Sequence, residues 1–265
     1  MKKLKRFFKR NSHNVVSKNL AGFGRSLNRF YENRNHDINS NGEIPVIQKI
    51  SKLNPSVIID GGANIGNYSL TLNQYAPQAT IYAFEPVVST YDKLKNNVNE
   101  FKNIIPVNKG LFSENCTKEI NIFKSHTHSS IYDIKGVPYQ TTDTQTIELI
   151  RGDDFVNEND ITEIDFVKLD LEGAEYDAII GFENLLKGKN IKAIQFEYGY
   201  INITSKKLLL DFYTLLNDYG YSIGKIFPKI VEFRDYEFKY EDFIGPNFIA
   251  VNNEEEELIN TLRKK

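Results

Sequence analysis

From residue 57 to residue 251 the chain alternates short apolar runs with amphipathic stretches. Five runs read as parallel strands, because a strand covered on both faces is apolar almost throughout. They are VIID at 57–60, TIYAFE at 80–85, IIPVN at 104–108, DFVKLD at 165–170 and IKAIQFE at 191–197. Between them the spacing predicts helices beginning near Ile65 and over about 88–99, 175–186 and 205–218, the last entered by Thr204 as its cap. This alternation gives a doubly wound α/β sheet with right-handed crossovers. The tail segments YSIGKIF, VEFRDYEFKY and PNFIAVN read as strands closing the sheet antiparallel. Residues 118–147, with SHTHSS, a GVP turn and TTDTQT, break the rhythm and read as an inserted hairpin or loop over the sheet. The expected organisation is a basic arm with a helical extension over 1–50, the α/β domain over 51–253 and an acidic-then-basic tail over 254–265.

Every one of the five strands ends in a polar residue: Asp60, Glu85, Asn108, Asp170 and Glu197. In an open α/β sheet the ligand cleft lies beyond the carboxyl ends of the strands, so these residues gather along one edge. Polar residues also mark where strands stop. Four carboxylates in five places exceed what stopping alone requires.

Composition narrows the class. The 265 residues are 40% hydrophobic, with 18 Phe and 15 Tyr, enough for a folded core and far from a disordered chain. The lone Cys116 excludes an intramolecular disulfide and a cysteine-based zinc cage. No apolar run approaches the roughly 20 residues that span a bilayer. Charge is uneven: through Arg34 there are ten Lys and Arg against Glu32 alone, a net of +9, and since the whole chain is at −2 the remainder carries −11. An acidic body argues against nucleic-acid binding, which wants a broad basic face. The basic start runs into NSHNVVSKNL, too polar for the apolar core of a secretory signal, so a cytoplasmic protein is expected. Leu4, Phe7 and Phe8 at helical spacing among six basic residues can rest on the anionic inner face of a membrane. The alternative is a frayed terminus or a helix packed on the body.

VIIDGGANIGNYSL is strand, glycine turn and helix start. Gly61 and Gly62 permit a tight turn and close backbone approach to a ligand, and Gly66 lets the helix pack near the strand. The dinucleotide fingerprint G-x-G-x-x-G wants glycine where Ala63 stands. Asp60 before the turn would repel a pyrophosphate but suits a ligand with an amino group. Glu85, 25 residues on, can accept both hydroxyls of a ribose. A ligand with a ribose, an ammonium and no pyrophosphate is S-adenosylmethionine. Asp60, Gly61, Gly62, Ala63, Asn64, Gly66 and Glu85 are its expected partners, joined by Asn108 from the third strand end. A glycine turn without a ligand is the alternative.

DGGANIGNYS, FEP and VKLDLEGAEYDAIIGF resemble the FkbM family of S-adenosylmethionine-dependent methyltransferases, over about residues 57–251. The resemblance implies a class I methyltransferase-like, Rossmann-like fold: a seven-stranded, mostly parallel sheet with an antiparallel last strand. It also implies O-methylation, often of sugars or natural products in bacteria. The first 50 residues and SHTHSS fall outside the matching motifs.

In KLDLEG, strand alternation puts Lys168, Asp170 and Glu172 on one side, and Gly173 allows a sharp exit into the next helix. Either Lys168 and Asp170 pair to tie down the strand end, or Asp170 and Glu172 face the methyl group and its acceptor. Methyl transfer is an in-line displacement in which the protein aligns the acceptor oxygen and takes its proton. The expected base is Asp170, then Glu172, then His128, with Lys168 in the same catalytic group. His126 and His128 share a side and, with carboxylates, suit a divalent metal. An exposed polar loop is the preferred reading, a base or substrate contact the next, and no metal is expected. His126, Ser129, Glu197 and Tyr198 are the expected acceptor contacts, with Tyr198 and Tyr200 stacking on a sugar ring unless they are ordinary core. The expected function is O-methylation of a hydroxyl, on a bacterial surface glycan or its precursor by family analogy. The rivals are an NAD-dependent oxidoreductase, opposed by Asp60 and Ala63, and an inactive binding module.

Overall fold

The computed structural model describes residues 2–123, 129–133 and 141–264. In chain order the strands are β1 (Val57–Gly61), β2 (Thr80–Phe84), β3 (Ile104–Val107), β4 (Gly110–Phe112), β5 (Cys116–Phe123), β6 (Ser129–Ser130), β7 (Thr141–Arg151), β8 (Ile164–Leu169), β9 (Ile191–Glu197), β10 (Tyr221–Ile226), β11 (Val231–Phe233) and β12 (Asn247–Asn252). The helices are α1 (Lys2–Arg10), α2 (Val15–Tyr31), α3 (Glu43–Ser51), α4 (Asn67–Tyr75), α5 (Val88–Asn97), α6 (Gly152–Glu158), α7 (Glu175–Gly181), α8 (Glu183–Lys187), α9 (Asn202–Ser205), α10 (Leu209–Asp218) and α11 (Glu256–Arg263).

The main sheet runs β11-β10-β12-β9-β8-β1-β2-β3. β1, β2, β3, β8 and β9 are parallel, and β12 slots antiparallel between β9 and β10. This is the Rossmann-like class I methyltransferase arrangement with an antiparallel close. It has one strand more than the seven expected, because β11 adds antiparallel to the outer edge of β10. From β1 the chain winds outward through β2 and β3, then restarts at β8 on the other side of β1. That reversal opens a crevice beyond the carboxyl ends of β1 and β8.

Alternation along the strands explains their apolar runs. Ile59, Phe84, Val167 and Phe196 feed one core with Ile179, Phe182 and Phe212. Ile58, Ile81, Phe166 and Ala193 feed the other with Val46, Ile47, Leu72 and Leu258. Residues 118–147 contribute to a second sheet, β4-β7-β5-β6, in which β5 and β7 pair antiparallel. Its inner face carries a small cluster that includes Phe112, Ile120, Ile147 and Leu149.

Three local expectations need correcting. Thr204 lies inside the short α9; α10 starts at Leu209, where the Asp211 carboxylate accepts the Leu208 N–H at 2.7 Å. The helix expected over 175–186 is two, α7 and α8, meeting at the buried Phe182. Within VEFRDYEFKY only Val231–Phe233 is strand, and Phe238–Tyr240 forms a 3-10 turn. Among the described residues no helix is long and apolar enough to cross a membrane.

Candidate active site

β1 and β8 are neighbours in register, with Asp60 opposite Lys168. The Lys168 Nζ lies 3.8 Å from Asp60 Oδ1 and 3.2 Å from Asp170 Oδ2, and sits over the Tyr68 ring. The Ser69 hydroxyl donates to Asp60 Oδ2 at 2.6 Å. Burial works against the charge on Lys168, but Asp170, Asp60 and Glu43 outweigh it and hold its pKa above the ordinary ammonium value. Lys168 is therefore a fixed cation in the crevice floor.

In front of this floor lies a cavity of about 510 Å³. Gly62, Ala63, Asn64 and Glu85 line it on the β1–β2 side. Gly62 has φ +77°, and a Cβ there would sit 1.9 Å from the Asp170 carbonyl oxygen, so only glycine lets the turn pass. The two Glu85 oxygens accept the backbone N–H groups of Val87 (2.9 Å) and Asn64 (3.1 Å). Burial raises the Glu85 pKa to about 7 against the pull of those two N–H groups.

Four expected cofactor contacts lie elsewhere. Asp60 is wholly buried behind the cavity wall, where burial raises its pKa against the pull of Lys168 and Ser69. Gly61 is a strand residue squeezed between Leu111 and Leu169. Gly66 starts α4, where a Cβ would press on Leu94 and Val98 of the neighbouring helix segment. The Asn108 amide donates to the carbonyls of Glu85 (2.9 Å) and Pro86 (3.2 Å), fixing the exit from β2.

Opposite, Lys168, Asp170, Glu172, Glu197 and Ser129 line the cavity. Glu172 and Gly173 both take left-handed backbone conformations, φ +50° and +110°. The buried Glu175 carboxylate braces this turn by accepting the N–H groups of Leu171 (2.7 Å) and Gly173 (3.0 Å). Burial raises the Glu197 pKa, and Asp170, Glu172 and Glu175 raise it further. Tyr198 does not join them. One residue beyond Glu197 it faces the core, stacked on Phe243, with its hydroxyl donating to Glu241 at 2.5 Å. His126 and His128 lie outside the described residues. Among the described residues no group of three or more His, Cys, Asp and Glu is placed to hold a metal ion.

Sequence reasoning missed a third wall. His36 and Ile38 reach the cavity from the segment between α2 and α3, Glu43 from the first position of α3, and Asn247 from β12. Glu43 is buried and accepts the Asn41 amide at 2.5 Å and the Gln195 amide at 2.6 Å. The His36 Nδ1 lies 4.0 Å from Glu197 Oε1.

The residues fit S-adenosylmethionine. Five carboxylates, from Glu43, Glu85, Asp170, Glu172 and Glu197, line the cavity; among the described lining residues Lys168 is the one fixed cation, already shared with Asp60 and Asp170. That balance repels a pyrophosphate and favours a ligand carrying an ammonium and a sulfonium. Each Glu85 oxygen has a further acceptor site for a ribose hydroxyl. The glycine turn brings Gly62, Ala63 and Asn64 to the cavity, and the second sheet supplies apolar walls at Leu111, Phe112 and Leu149.

The profile of the methyltransferase FkbM domain matches residues 60–223, more than half of the chain. A hexuronic acid methyltransferase of Haloferax volcanii, AglP, is 28% identical over 147 residues, covering 54% of this chain and 56% of that protein. Methyltransferase 1 of Beauveria bassiana is 26% identical over 155 residues, covering 49% and 59%. The chain thus spans little more than half the length of these relatives. Among solved structures, the precorrin-6y C5,15-methyltransferase of Geobacter metallireducens is 15% identical at a TM-score of 0.40, covering 78% of this chain and 85% of that one. Fibrillarin of Aeropyrum pernix, solved with S-adenosyl-L-methionine bound, is 14% identical at a TM-score of 0.41, covering 74% and 66%. The glycine turn, the carboxylate on β2, the K-x-D-x-E-G edge of β8 and the matched profile place this chain in the FkbM methyltransferase domain family, whose cofactor is S-adenosylmethionine.

Proposed function

We propose that the protein is an O-methyltransferase acting on a hydroxyl of a neutral sugar unit, in a bacterial surface glycan or its precursor. The carrying observation is the carboxylate group Asp170, Glu172 and Glu197 on one wall of the cavity, facing the glycine turn. The cofactor supplies a methyl on a sulfonium, a ready leaving group. The chain must hold an acceptor oxygen in line and remove its proton. Alignment contributes on the order of 7–11 kcal/mol for well-oriented reactants, and a positioned base about 10²–10⁴-fold.

Asp170 takes the proton. It is the carboxylate at the cavity rim, 37% exposed at its side chain, and Lys168 fixes its orientation from 3.2 Å. Glu172 is the alternative base. Glu197, whose pKa burial and its acidic neighbours raise, lines the same wall and hydrogen-bonds a sugar hydroxyl. Ser129 and His36 complete the acceptor side. The Haloferax volcanii relative, named for a hexuronic acid, supports a sugar acceptor. The crowd of carboxylates disfavours an anionic one, hence a neutral sugar here. The same reading keeps the chain in the cytoplasm, where the cofactor is made, and gives it no nucleic-acid partner.

The test is formation of S-adenosylhomocysteine with neutral nucleotide-activated sugars, uronates and glycan extracts, followed by NMR of the product. A new O-methyl signal on a neutral sugar is expected. Faster turnover of uronates would remove the neutral-sugar assignment. Methyl appearing on nitrogen or carbon would remove O-methylation, and cofactor binding without turnover on any extract would leave the binding-module reading.

A further inference from the structure

α2 is a well-formed helix turned inside out. Asn14 caps it by accepting the Ser17 N–H at 2.9 Å. At 3.6 residues per turn, Val16, Leu20, Phe23, Leu27 and Phe30 fall in one narrow stripe, with Lys18, Arg25 and Arg29 opposite. In a helix packed on a protein core the stripe would face inward. Here its members are 66%, 50%, 63%, 51% and 81% exposed, and no residue of α2 is buried. The opposite side is the one turned to the body: Gly24, Arg25, Asn28 and Arg29 share a recess with Asp242 and Ile244.

The helix is nonetheless anchored. Glu32, at its end, accepts the buried Lys225 ammonium at 2.8 Å, and the Asn33 amide donates to the Ile226 carbonyl at 3.0 Å. Both partners belong to β10 of the main sheet. α1 precedes α2 and exposes Phe7 and Phe8 beside Lys5, Arg6, Lys9 and Arg10. Residues 2–31 contain nine Lys and Arg and no Asp or Glu.

We infer that α1 and α2 form a docking surface for an anionic lipid bilayer. The apolar stripe enters the headgroup boundary while the six basic residues of α1, beside Phe7 and Phe8, meet the negative surface, which is the balance that keeps an amphipathic segment in the plane of a membrane. Charge selects this occupant over the others. A second copy laid along the stripe would offer no acid to the nine cations of residues 2–31. Nucleic acid would meet the charge and leave five apolar side chains in water. The inference stands whatever the acceptor of the methyl group is.

Co-sedimentation of the full chain with vesicles tests it, using phosphatidylcholine alone and an equal mixture of phosphatidylcholine and phosphatidylglycerol. Pelleting with the mixture only is expected, falling roughly tenfold as salt rises toward about 0.5 M, because exposed charges are then screened within a few ångströms. The triple variant Leu20→Glu, Phe23→Glu, Leu27→Glu should lose pelleting on the order of tenfold while keeping its melting temperature and its affinity for S-adenosylhomocysteine. Equal pelleting of wild type and variant overturns the inference. So does a concentration-dependent dimer that disappears in the variant without vesicle binding in the wild type. Binding to homopolymer RNA unaffected by the variant, with no vesicle binding, overturns it in favour of nucleic acid.

Discussion

At the carboxyl edge of β1 and β8 the protein buries Asp60, Lys168 and Glu175, whereas along α2 it leaves Val16, Phe23 and Phe30 in water. Both regions reverse the usual sorting of side chains. Neither arrangement helps the chain fold, since buried charge costs several kcal/mol per ion before pairing and exposed apolar surface forgoes about 25 cal/mol per Å². They differ in how the reversal is held. The pocket is over-determined: Lys168 has two carboxylates and a ring, and Glu175 holds two backbone N–H groups of one turn. The helix is tied to the body mainly at its end, through Glu32 and Asn33. A site for chemistry needs geometry fixed in advance; a surface that meets a fluid partner needs only its pattern.

The largest expected effect comes from breaking the pocket. Lys168→Met leaves Asp60 buried without its cation, a loss of about 3–5 kcal/mol when one partner of a buried pair is removed. Thermal melts should show a fall of roughly 10 °C. Adding Asp60→Asn should recover part of it. A single variant that melts like wild type would mean that the pocket is not held by this pair.

Asp170→Asn separates chemistry from packing. Asp170 is partly exposed, so losing its charge leaves nothing buried and unpaired, and the fold should survive. Turnover should fall about 10²-fold or more through kcat, with S-adenosylhomocysteine affinity within a few-fold. Near-normal kcat in the folded variant would pass the role to Glu172.

How much of this was legible in the sequence follows the same division. Strand ends at Asp60, Glu85, Asp170 and Glu197 could be read because apolar periodicity is local. That reading could not tell which polar ends turn into the cavity. Asp60 sits one residue too early and Asn108 turns to brace β2, while Tyr198 takes the opposite face from Glu197, as alternation itself requires. His36 and Glu43 carried no signal, since only the tertiary course of the segment leading into α3 brings them to the cavity. The stripe of α2 was written in the periodicity, but exposure is a property of what the rest of the chain leaves uncovered.

Glu85 gives a medium effect with a definite sign. Its pKa in the folded protein is raised to about 7 by burial. Its contribution to stability is therefore complete below the ordinary carboxylate range and is lost as pH climbs through about 7. Ligand binding slopes the other way, because ribose hydroxyls donate to the ionised form. Affinity for S-adenosylhomocysteine should rise up to about tenfold per pH unit below 7 and level off above it. Calorimetry in buffers of different ionisation enthalpy should show proton release on binding at pH 6 and little at pH 8. Glu85→Gln should flatten both the affinity profile and the proton release. A pH-independent affinity in the wild type would detach Glu85 from the ribose.

The smallest effect is expected where the side chains are largest. Replacing Leu27 and Phe30 by Ser should move the melting temperature by no more than about 1–2 °C, since exposed substitutions are usually worth within 0.5 kcal/mol. The matched control is Phe212→Ala, a wholly buried ring stacked on Phe196, which should cost about 3–5 kcal/mol. A hydrophobicity scale treats the two experiments alike. The structure separates them because stability records what a side chain loses relative to the unfolded chain, and a residue already in water has little to lose. A large drop on changing Leu27 and Phe30 would mean that something covers the stripe in solution, and the contrast between the two regions would then describe one copy of the chain and not the protein as it exists.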